Sequence, residues 1–381
     1  MAKPTIAHWQ LDPEGDVLLT LHNPNAPFAV WDANYYKNAP SSLTEQPSTQ
    51  PRNSDLLKAD PHPKTKAAQV SDQPTSSTSK VEFLLSSRHL SLASGYFKRL
   101  LRDPWKEVTP TSPDGRLCVD AEDWDENSML LLMRIIHGHN YKVPKSMTLE
   151  ELAKIAVLID YYQCHEAVMA WSDVWMDHLG HNYREDRFGG SVLRRDMILW
   201  ILVTQVFRRE EWFKGATLAA VYCCEGKFPT LDLPITAVAD KIDEKREKFL
   251  GQIFTDLYGL LKRLRECAAG CSFACSSIML GALSIQLQKR GIFEPQLHSP
   301  YASYSCLGAV KLVQKLTTPE WIAVSPAPII DPPAWLALPS NQEQHSCTLS
   351  KFLSPIFNTY YPEVVTLADI QGGQGRGSKE P

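Results

Sequence analysis

The stretch VEFLLSSRHLSLASGYFKRLL, Val81–Leu101, decides the fold of the first part of this chain. Its first residues, Val81–Leu85, alternate so that Phe83 and Leu85 fall on one face, which predicts a strand. The residues after the strand follow helical spacing, with short polar breaks between the pieces. No group of a catalytic type stands in an activating setting there, so the stretch predicts a packing and recognition module.

Two short helices are predicted after the strand. Ser86 and Ser87 end the strand and are residue types that cap helices. Arg88–Ser94 follows as a short helix with Leu90 on it, and Gly95 allows the chain to turn. The second helix carries four apolar residues at helical spacing: Tyr96, Phe97, Leu100 and Leu101.

The stretch and its flanks resemble the BTB/POZ domain, in particular the version found in filamentous fungi. Leu90–Phe97 is similar to the central helix pair of that family, and Gly15–Leu21 is similar to its opening strand, with Asp16 as the acidic residue. Leu117–Asp120 resembles the third strand. Three further segments resemble the remaining helices: Asp123–Gly138, Thr148–Cys164 and Glu166–Leu179.

The resemblance covers Pro13–Leu179 and implies an α+β domain that binds other proteins. The residues that we expect to bind a partner are Asp16, Leu90, Tyr96, Phe97, Leu100, Tyr161 and Tyr162. The implied partner is a protein, either a second copy of this chain or a cullin scaffold. In the second case the chain would be a substrate adaptor of a cullin-type ubiquitin ligase.

Two features distinguish this chain from many members of the family. Ser86 and Ser87 stand where many members carry a histidine and a basic residue, so a relative's partner does not transfer to this chain. Only fifteen residues precede Asp16, and Pro4 and Pro13 interrupt them. This segment is too short for both a strand and a helix of usual length, so the resemblance does not extend to a strand-swapped dimer.

The domain organisation follows from shifts in composition. Residues 1–12 are an N-terminal segment, and residues 13–179 are the BTB-like domain. Residues 38–80 interrupt that domain with a polar insertion that buries too little apolar surface to fold. A glycine-containing linker at 180–190 leads to a helical domain at 191–365, and residues 366–381 are predicted to be a disordered tail.

The fold class is therefore α+β, followed by an all-α domain. The predicted helices of the second domain are Ser191–Phe207, Glu210–Cys224, Thr236–Glu266, Cys271–Leu287 and His345–Phe357. The longest of them has one apolar face, made of Val238, Ile242, Phe249, Ile253, Leu257, Leu260 and Leu264.

Composition excludes several classes of function. The net charge of −4 and the lack of a basic stripe argue against nucleic-acid binding. The longest apolar run, Met197–Val203, is too short to cross a bilayer, and no signal peptide is visible. Nine scattered cysteines without an export signal predict reduced thiols in an intracellular protein of the nucleus or cytoplasm.

No enzyme class is indicated. The sequence has no nucleophile elbow, no phosphate-binding loop and no dinucleotide fingerprint, so no catalytic residue and no cofactor is predicted. His137 and His139 follow the third predicted helix of the BTB-like domain, where a histidine interacts well with the helix end. We therefore interpret them as structural residues.

The cysteines of the second domain are weak candidates for a metal site. Cys267, Cys271 and Cys275 recur every four residues, which predicts one helix face about 12 Å long, too long for one ion. At most two of them, with His345 or Cys347, could bind zinc. Cys271, Cys275, His345 and Cys347 are thus the candidate ligands of an alternative, a zinc-containing regulatory protein. Packing of buried cysteines as small apolar side chains is the preferred interpretation.

Overall fold

The structure is a computed structural model of the full chain, and it describes residues 7–32, 80–102, 109–110, 115–180, 193–319, 347–359 and 361–371. Its strands are β1 Ala7–Gln10, β2 Val17–His22, β3 Lys80–Leu85, β4 Thr109–Pro110 and β5 Leu117–Glu122. Its first helices are α1 Ser87–Ala93, α2 Gly95–Arg102, α3 Glu126–Ile136, α4 Leu149–Tyr162 and α5 His165–Gly180. The later helices are α6 Arg195–Val206, α7 Glu210–Cys223, α8 Thr236–Arg265, α9 Phe273–Lys289, α10 Cys306–Gln314, α11 Leu349–Thr359 and α12 Leu367–Gln371.

This order confirms the coarse prediction of a mixed α/β part followed by helices. Contacts divide the chain into two units. The sheet unit comprises the described residues within Met1–Phe28, Leu43–Val143 and Tyr161–Ala167. The helical unit comprises those within Ala29–Ser42, Pro144–Asp160 and Val168–Pro381. Most of α4 and α5 thus belong to the helical unit by contacts, whereas the sequence predicted a boundary at 180–190, most of which lies outside the described residues.

The sheet unit is built on five strands in the order β1-β3-β2-β5-β4. β2 pairs with β3 antiparallel, from Val17 opposite Leu85 to His22 opposite Lys80, and with β5 parallel. The predicted insertion at 38–80 connects these two paired strands, and almost all of it lies outside the described residues. The predicted strands at Gly15–Leu21, Val81–Leu85 and Leu117–Asp120 are therefore confirmed, with small shifts at their ends.

Apolar residues at every second position of β2 and β3 form the buried face of the sheet. Val17, Leu19 and Leu21 of β2 are fully buried, whereas the residues between them are partly exposed. Phe83 and Leu85 of β3 are fully buried as well, as the period of two predicted.

The N-terminal strand β1 is a correction to the sequence analysis, which assigned no element before Asp16. Four residues pair parallel with β3, from Ala7 opposite Val81 to Gln10 opposite Leu84. The side chain of Trp9 holds the strand, because its Nε1 donates to Glu126 Oε1 at 3.0 Å and the Arg134 guanidinium lies 5.7 Å from its ring centre.

Helix α8 is the centre of the helical unit and packs against α7, α9, α10, α11 and α12. All seven residues of its predicted apolar face are buried. Arg246 was not predicted to be buried, yet it is 1 % exposed. Its two Nη atoms donate to the carbonyls of Pro300 at 2.8 Å and Tyr304 at 3.0 Å, which replaces part of the hydration that burial removes.

Three other segments test the predicted helices. α6 is buried along almost its whole length, as its apolar sequence predicted. α10 was missed, although Ser305 caps it by accepting from the Gly308 N–H at 3.1 Å. The predicted disordered tail begins too early at residue 366, because Leu367–Gln371 is helical and Thr366 exchanges capping hydrogen bonds with Asp369.

None of the helices in the described part of the chain combines the length and the apolar composition that a membrane crossing requires.

Candidate interaction surface and thiol cluster

Five aromatic side chains of the sheet unit form what we call the aromatic cluster: Tyr96, Phe97, Trp124, Tyr161 and Tyr162. Phe97 and Tyr162 stack with their ring centres 4.9 Å apart. Tyr161 meets Tyr162 edge-on at 4.9 Å, and it lies 5.4 Å from Tyr96 and 5.3 Å from Trp124. These separations fall in the range where aromatic pairs attract each other beyond the area they bury.

The aromatic cluster has a buried base and an exposed edge. Phe97 is fully buried and Tyr162 is 3 % exposed, whereas Tyr161 is 50 % exposed. Burial raises the pKa of the Tyr162 hydroxyl, and the neighbouring Tyr161 and Tyr96 raise it further. Tyr162 therefore stays uncharged in its buried position. The rings of Tyr96, Trp124 and Tyr162 pack against Tyr161 and hold it at the surface.

Ser94 joins the helix pair to the base of the aromatic cluster. Its hydroxyl donates to the Tyr162 carbonyl at 2.5 Å and accepts from the Phe97 N–H at 3.0 Å. One buried side chain thus caps α2 and ties it to the end of α4. Gly95 N–H donates to the Gln163 carbonyl at 3.3 Å, and Arg99 donates to the Gln163 side chain at 3.0 Å, which adds a second connection.

The structure brings four of the predicted partner-binding residues together and limits what they can do. Tyr96, Phe97, Tyr161 and Tyr162 meet in the aromatic cluster, and Leu100 is partly buried on α2. Leu90, Phe97 and Tyr162 are almost completely buried, so a partner cannot touch them in this fold. Their prediction as contact residues is corrected, and among the predicted aromatic residues Tyr161 is exposed and Tyr96 is partly exposed.

Asp16, the remaining predicted residue, bonds to the start of α1. Its carboxylate accepts from the Ser87 N–H at 2.7 Å and from the Ser87 hydroxyl at 2.6 Å. Partial burial raises the pKa of the Asp16 carboxyl, but the two bonds from Ser87 outweigh it, so the pKa lies below its ordinary value. The helix is thus capped by Asp16, whereas the Ser86 side chain makes no capping bond, contrary to the prediction.

His137 connects the end of α3 to the start of α1. Its Nε2 accepts from the Ser86 N–H at 3.0 Å, and its Nδ1 lies 2.8 Å from the Met133 carbonyl, to which it donates. Both bonds are made by one tautomer of the neutral imidazole. Burial lowers the pKa of His137, and this effect is larger than that of the hydrogen bond to Met133, which raises the pKa. The neutral form of His137 is therefore favoured. The predicted structural role at the helix end is confirmed, and the bond to Ser86 was not anticipated.

The cysteines of the helical unit do not lie on one helix, which corrects the predicted common face. α8 ends at Arg265, Cys267 has a positive φ of 55°, and α9 begins only at Phe273. Cys271 therefore lies in a loop and Cys275 in the first turn of α9. The regular spacing expected of a continuous helix therefore does not apply to the three cysteines.

Cys271, Cys275 and Cys347 form what we call the thiol cluster. Their three Sγ atoms lie within 4.8 Å of one another. None of the nine cysteines, all of which are described, is in a disulfide. Burial raises the pKa of the Cys275 thiol, and the thiols of Cys347 and Cys271 raise it further. A hydrogen bond with the Cys271 backbone lowers this pKa. His345, the other predicted ligand, lies outside the described residues.

Sequence reasoning missed three residues of these sites. Trp124 precedes Asp125, the residue that caps α3 by accepting from the Ser128 N–H at 2.9 Å, so a capping signal marked its position. Ser94 was placed inside the first helix, although serine before a helical run is a capping signal. Gly270, next to the thiol cluster, had no visible signal except its residue type.

Comparisons with protein families, curated proteins and solved structures found no match for this chain.

Proposed function

We propose that this chain is a non-catalytic protein–protein interaction protein. In this proposal the sheet unit is a BTB/POZ-like docking or self-association module, and the protein acts in the nucleus or cytoplasm. The observation that carries the proposal is the half-exposed Tyr161, which is held on the buried base of the aromatic cluster.

Rigid aromatic side chains are effective contact residues. Tyrosine and tryptophan are enriched among the residues that dominate binding energy, because they bury a large area and have few rotatable bonds. Tyr161 loses little conformational freedom on binding, since neighbouring rings already restrict it. A partner that covers this edge therefore gains apolar burial at a low entropic cost.

The order of elements supports the BTB-like part of the proposal. A strand, an insertion, a paired strand, two short helices, a third strand and further helices follow one another as in the sequence resemblance. The Asp16 carboxylate bonds to Ser87, and the nearby positive charge of Arg88 also helps to lower its pKa.

The nine cysteines, none of which is in a disulfide, support an intracellular location in this proposal. All nine cysteines are unbridged, including the exposed Cys267 and Cys271, as is usual where thiols stay reduced.

The proposal is tested with wild type, Tyr161→Ala and the matched control Tyr141→Ala. Tyr141 is fully exposed in the same unit but lies outside the aromatic cluster, so both variants should fold. Sedimentation velocity over a concentration series measures self-association, and quantitative affinity capture from cells of the source organism measures docking. We expect Tyr161→Ala to weaken the association by roughly tenfold or more, the usual effect at an energetically dominant residue.

Equal association of all three proteins would contradict the proposal. So would a wild type that is monomeric at every concentration and captures nothing above the level of Tyr161→Ala. Retained association in Tyr141→Ala is required, because its loss would show that any exposed aromatic residue has the same effect.

A further inference from the structure

Two neighbouring thiols and a third from a distant part of the chain meet at one point in the helical unit. The Sγ atoms of Cys271, Cys275 and Cys347 lie within 4.8 Å of one another. Two thiolates on one tetrahedral zinc ion stand about 3.8 Å apart, because each Zn–S bond is about 2.3 Å long. The thiol cluster is thus within about 1 Å of the spacing that a shared ion requires. We infer that the thiol cluster is a structural zinc site.

The first two ligands form a short loop of the kind that zinc sites use. Cys271 precedes α9 and Cys275 lies in its first turn, with three residues between them. Structural zinc sites commonly take two cysteines at such a spacing from a turn rather than from one helix face. Ser272 between them caps the helix by accepting from the Cys275 N–H at 3.2 Å.

Local interactions hold this loop in place without a metal. The Ser276 hydroxyl donates to the Ala269 carbonyl across the loop. Gly270 has a positive φ of 94°, and a Cβ there would lie 3.2 Å from Cys275 Sγ and 2.8 Å from Ser276 Oγ. Only glycine fits at position 270 without strain, because the backbone there lies close to the Cys275 thiol.

The third ligand comes from the segment that opens α11. Cys347 is 9 % exposed and directly precedes Thr348, which caps the helix by accepting from the Lys351 N–H at 3.1 Å. Leu349 N–H donates to the Thr318 hydroxyl at 3.0 Å, which fixes the start of the helix to the end of the segment after α10. Cys347 is therefore positioned by its own surroundings, as a metal ligand must be.

A zinc ion accounts for all three thiols, whereas packing, a disulfide or an iron–sulfur cluster does not. Packing of cysteine as a small apolar residue fits Cys275 but not Cys271, which is exposed while its Sγ lies beside the other two. A disulfide would use two of the thiols and leave the third without a role. Iron–sulfur clusters are held by four cysteines, and the described residues bring three together.

Zinc would connect two segments that are far apart in the sequence. The loop between α8 and α9 would be bound to the start of α11, and closing so long a stretch of chain constrains the unfolded state strongly. Structural zinc is four-coordinate, so one further donor completes the site.

The test uses the full chain, purified without chelator under reducing conditions. Elemental analysis measures zinc per chain in wild type, Cys275→Ser, Cys347→Ser and the control Cys267→Ser. Cys267 is exposed on the same loop but outside the thiol cluster, so its loss should leave the metal in place. We expect about one equivalent in wild type and the control, and below about a tenth in the other two variants.

A second measurement covers the case that a buried variant fails to fold. Chelator-treated wild type is titrated with Co²⁺, and thiolate-to-cobalt charge-transfer absorption should grow to one equivalent with an intensity that indicates three thiolates. Wild type without zinc or cobalt binding, zinc retained in Cys275→Ser or Cys347→Ser, equal loss in Cys267→Ser, or a disulfide among the three cysteines would each overturn the inference.

Discussion

The Ser94 hydroxyl donates to the Tyr162 carbonyl at 2.5 Å, so the start of α2 is tied to the end of α4 at the base of the aromatic cluster. The same oxygen accepts from the Phe97 N–H at 3.0 Å. The position of Phe97 and Tyr162, and through them of the exposed Tyr161, depends on one small buried side chain.

Ser94→Ala should therefore destabilise the sheet unit. The change leaves the Phe97 N–H and the Tyr162 carbonyl without this partner in a buried place, which costs about 2 kcal/mol. Urea unfolding followed by tyrosine and tryptophan fluorescence measures the loss. Ser91→Ala on α1, which is only partly buried, is the matched control and should change the free energy of unfolding by less than about 0.5 kcal/mol. An equal change in the free energy of unfolding in both variants would show that the Ser94 hydrogen bonds do not stabilise the sheet unit.

His137 predicts a pH dependence of stability. Its pKa in the folded protein lies below its ordinary value, chiefly because it is buried, with His89 stacked 5.1 Å away adding to the effect. As the pH falls below about 6.5, the unfolded chain takes up a proton at this residue more readily than the folded protein does. Stability should therefore fall from neutrality to about pH 5.5, by at most about 1.4 kcal/mol per pH unit for one proton.

The contribution of His137 is isolated by His137→Gln, which keeps an acceptor for the Ser86 N–H but does not titrate. Urea unfolding near neutrality and at about pH 5.5 should show a smaller pH dependence in this variant than in wild type. His178→Gln, at an exposed position on α5, is the control and should keep the pH dependence of the wild type. A pH dependence that is unchanged in His137→Gln would show that other groups cause it.

Gly270→Ala should weaken zinc binding at the thiol cluster. The added Cβ meets Cys275 Sγ and Ser276 Oγ, and alanine is strained at a φ of +94°. We expect the zinc affinity, measured by competition with a chromogenic chelator, to fall by at least about tenfold. Gly281→Ala on α9 is the control, because its Cβ meets nothing within 4 Å. It should bind zinc as wild type does and gain up to about 1 kcal/mol of stability. Unchanged zinc affinity in Gly270→Ala would indicate that zinc binding does not depend on the backbone conformation at Gly270.

Elements with a strong local pattern could be predicted from the sequence. β2 and β3 alternate between buried and exposed residues, Ser94 separates α1 from α2, and α8 has a continuous apolar face, so each pattern indicates its own structure. β1 could not be predicted in the same way. Its four residues become a strand only through the ladder to β3 and the contacts of Trp9, which depend on the folded sheet.

The two clusters depend on contacts between distant segments. The spacing of Cys267, Cys271 and Cys275 indicated one helix, but Cys267 and Gly270 both adopt a positive φ and the chain turns between α8 and α9. The approach of Cys347 comes from the packing of α11 against α8, which no local pattern reports. The burial of Leu90 and Tyr162 is likewise a property of the assembled unit, so apolar spacing alone could not distinguish buried residues from exposed ones.

Photo-crosslinking from position 161 shows whether a protein binds at the exposed edge of the aromatic cluster. p-Benzoylphenylalanine replaces Tyr161 in one protein and Tyr141 in the control, and both are irradiated in cells of the source organism. We expect one defined covalent adduct from position 161, with a second copy of the chain or with one partner protein, and none from position 141. No adduct from position 161, or the same adducts from both positions, would show that Tyr161 does not mark a protein-binding surface.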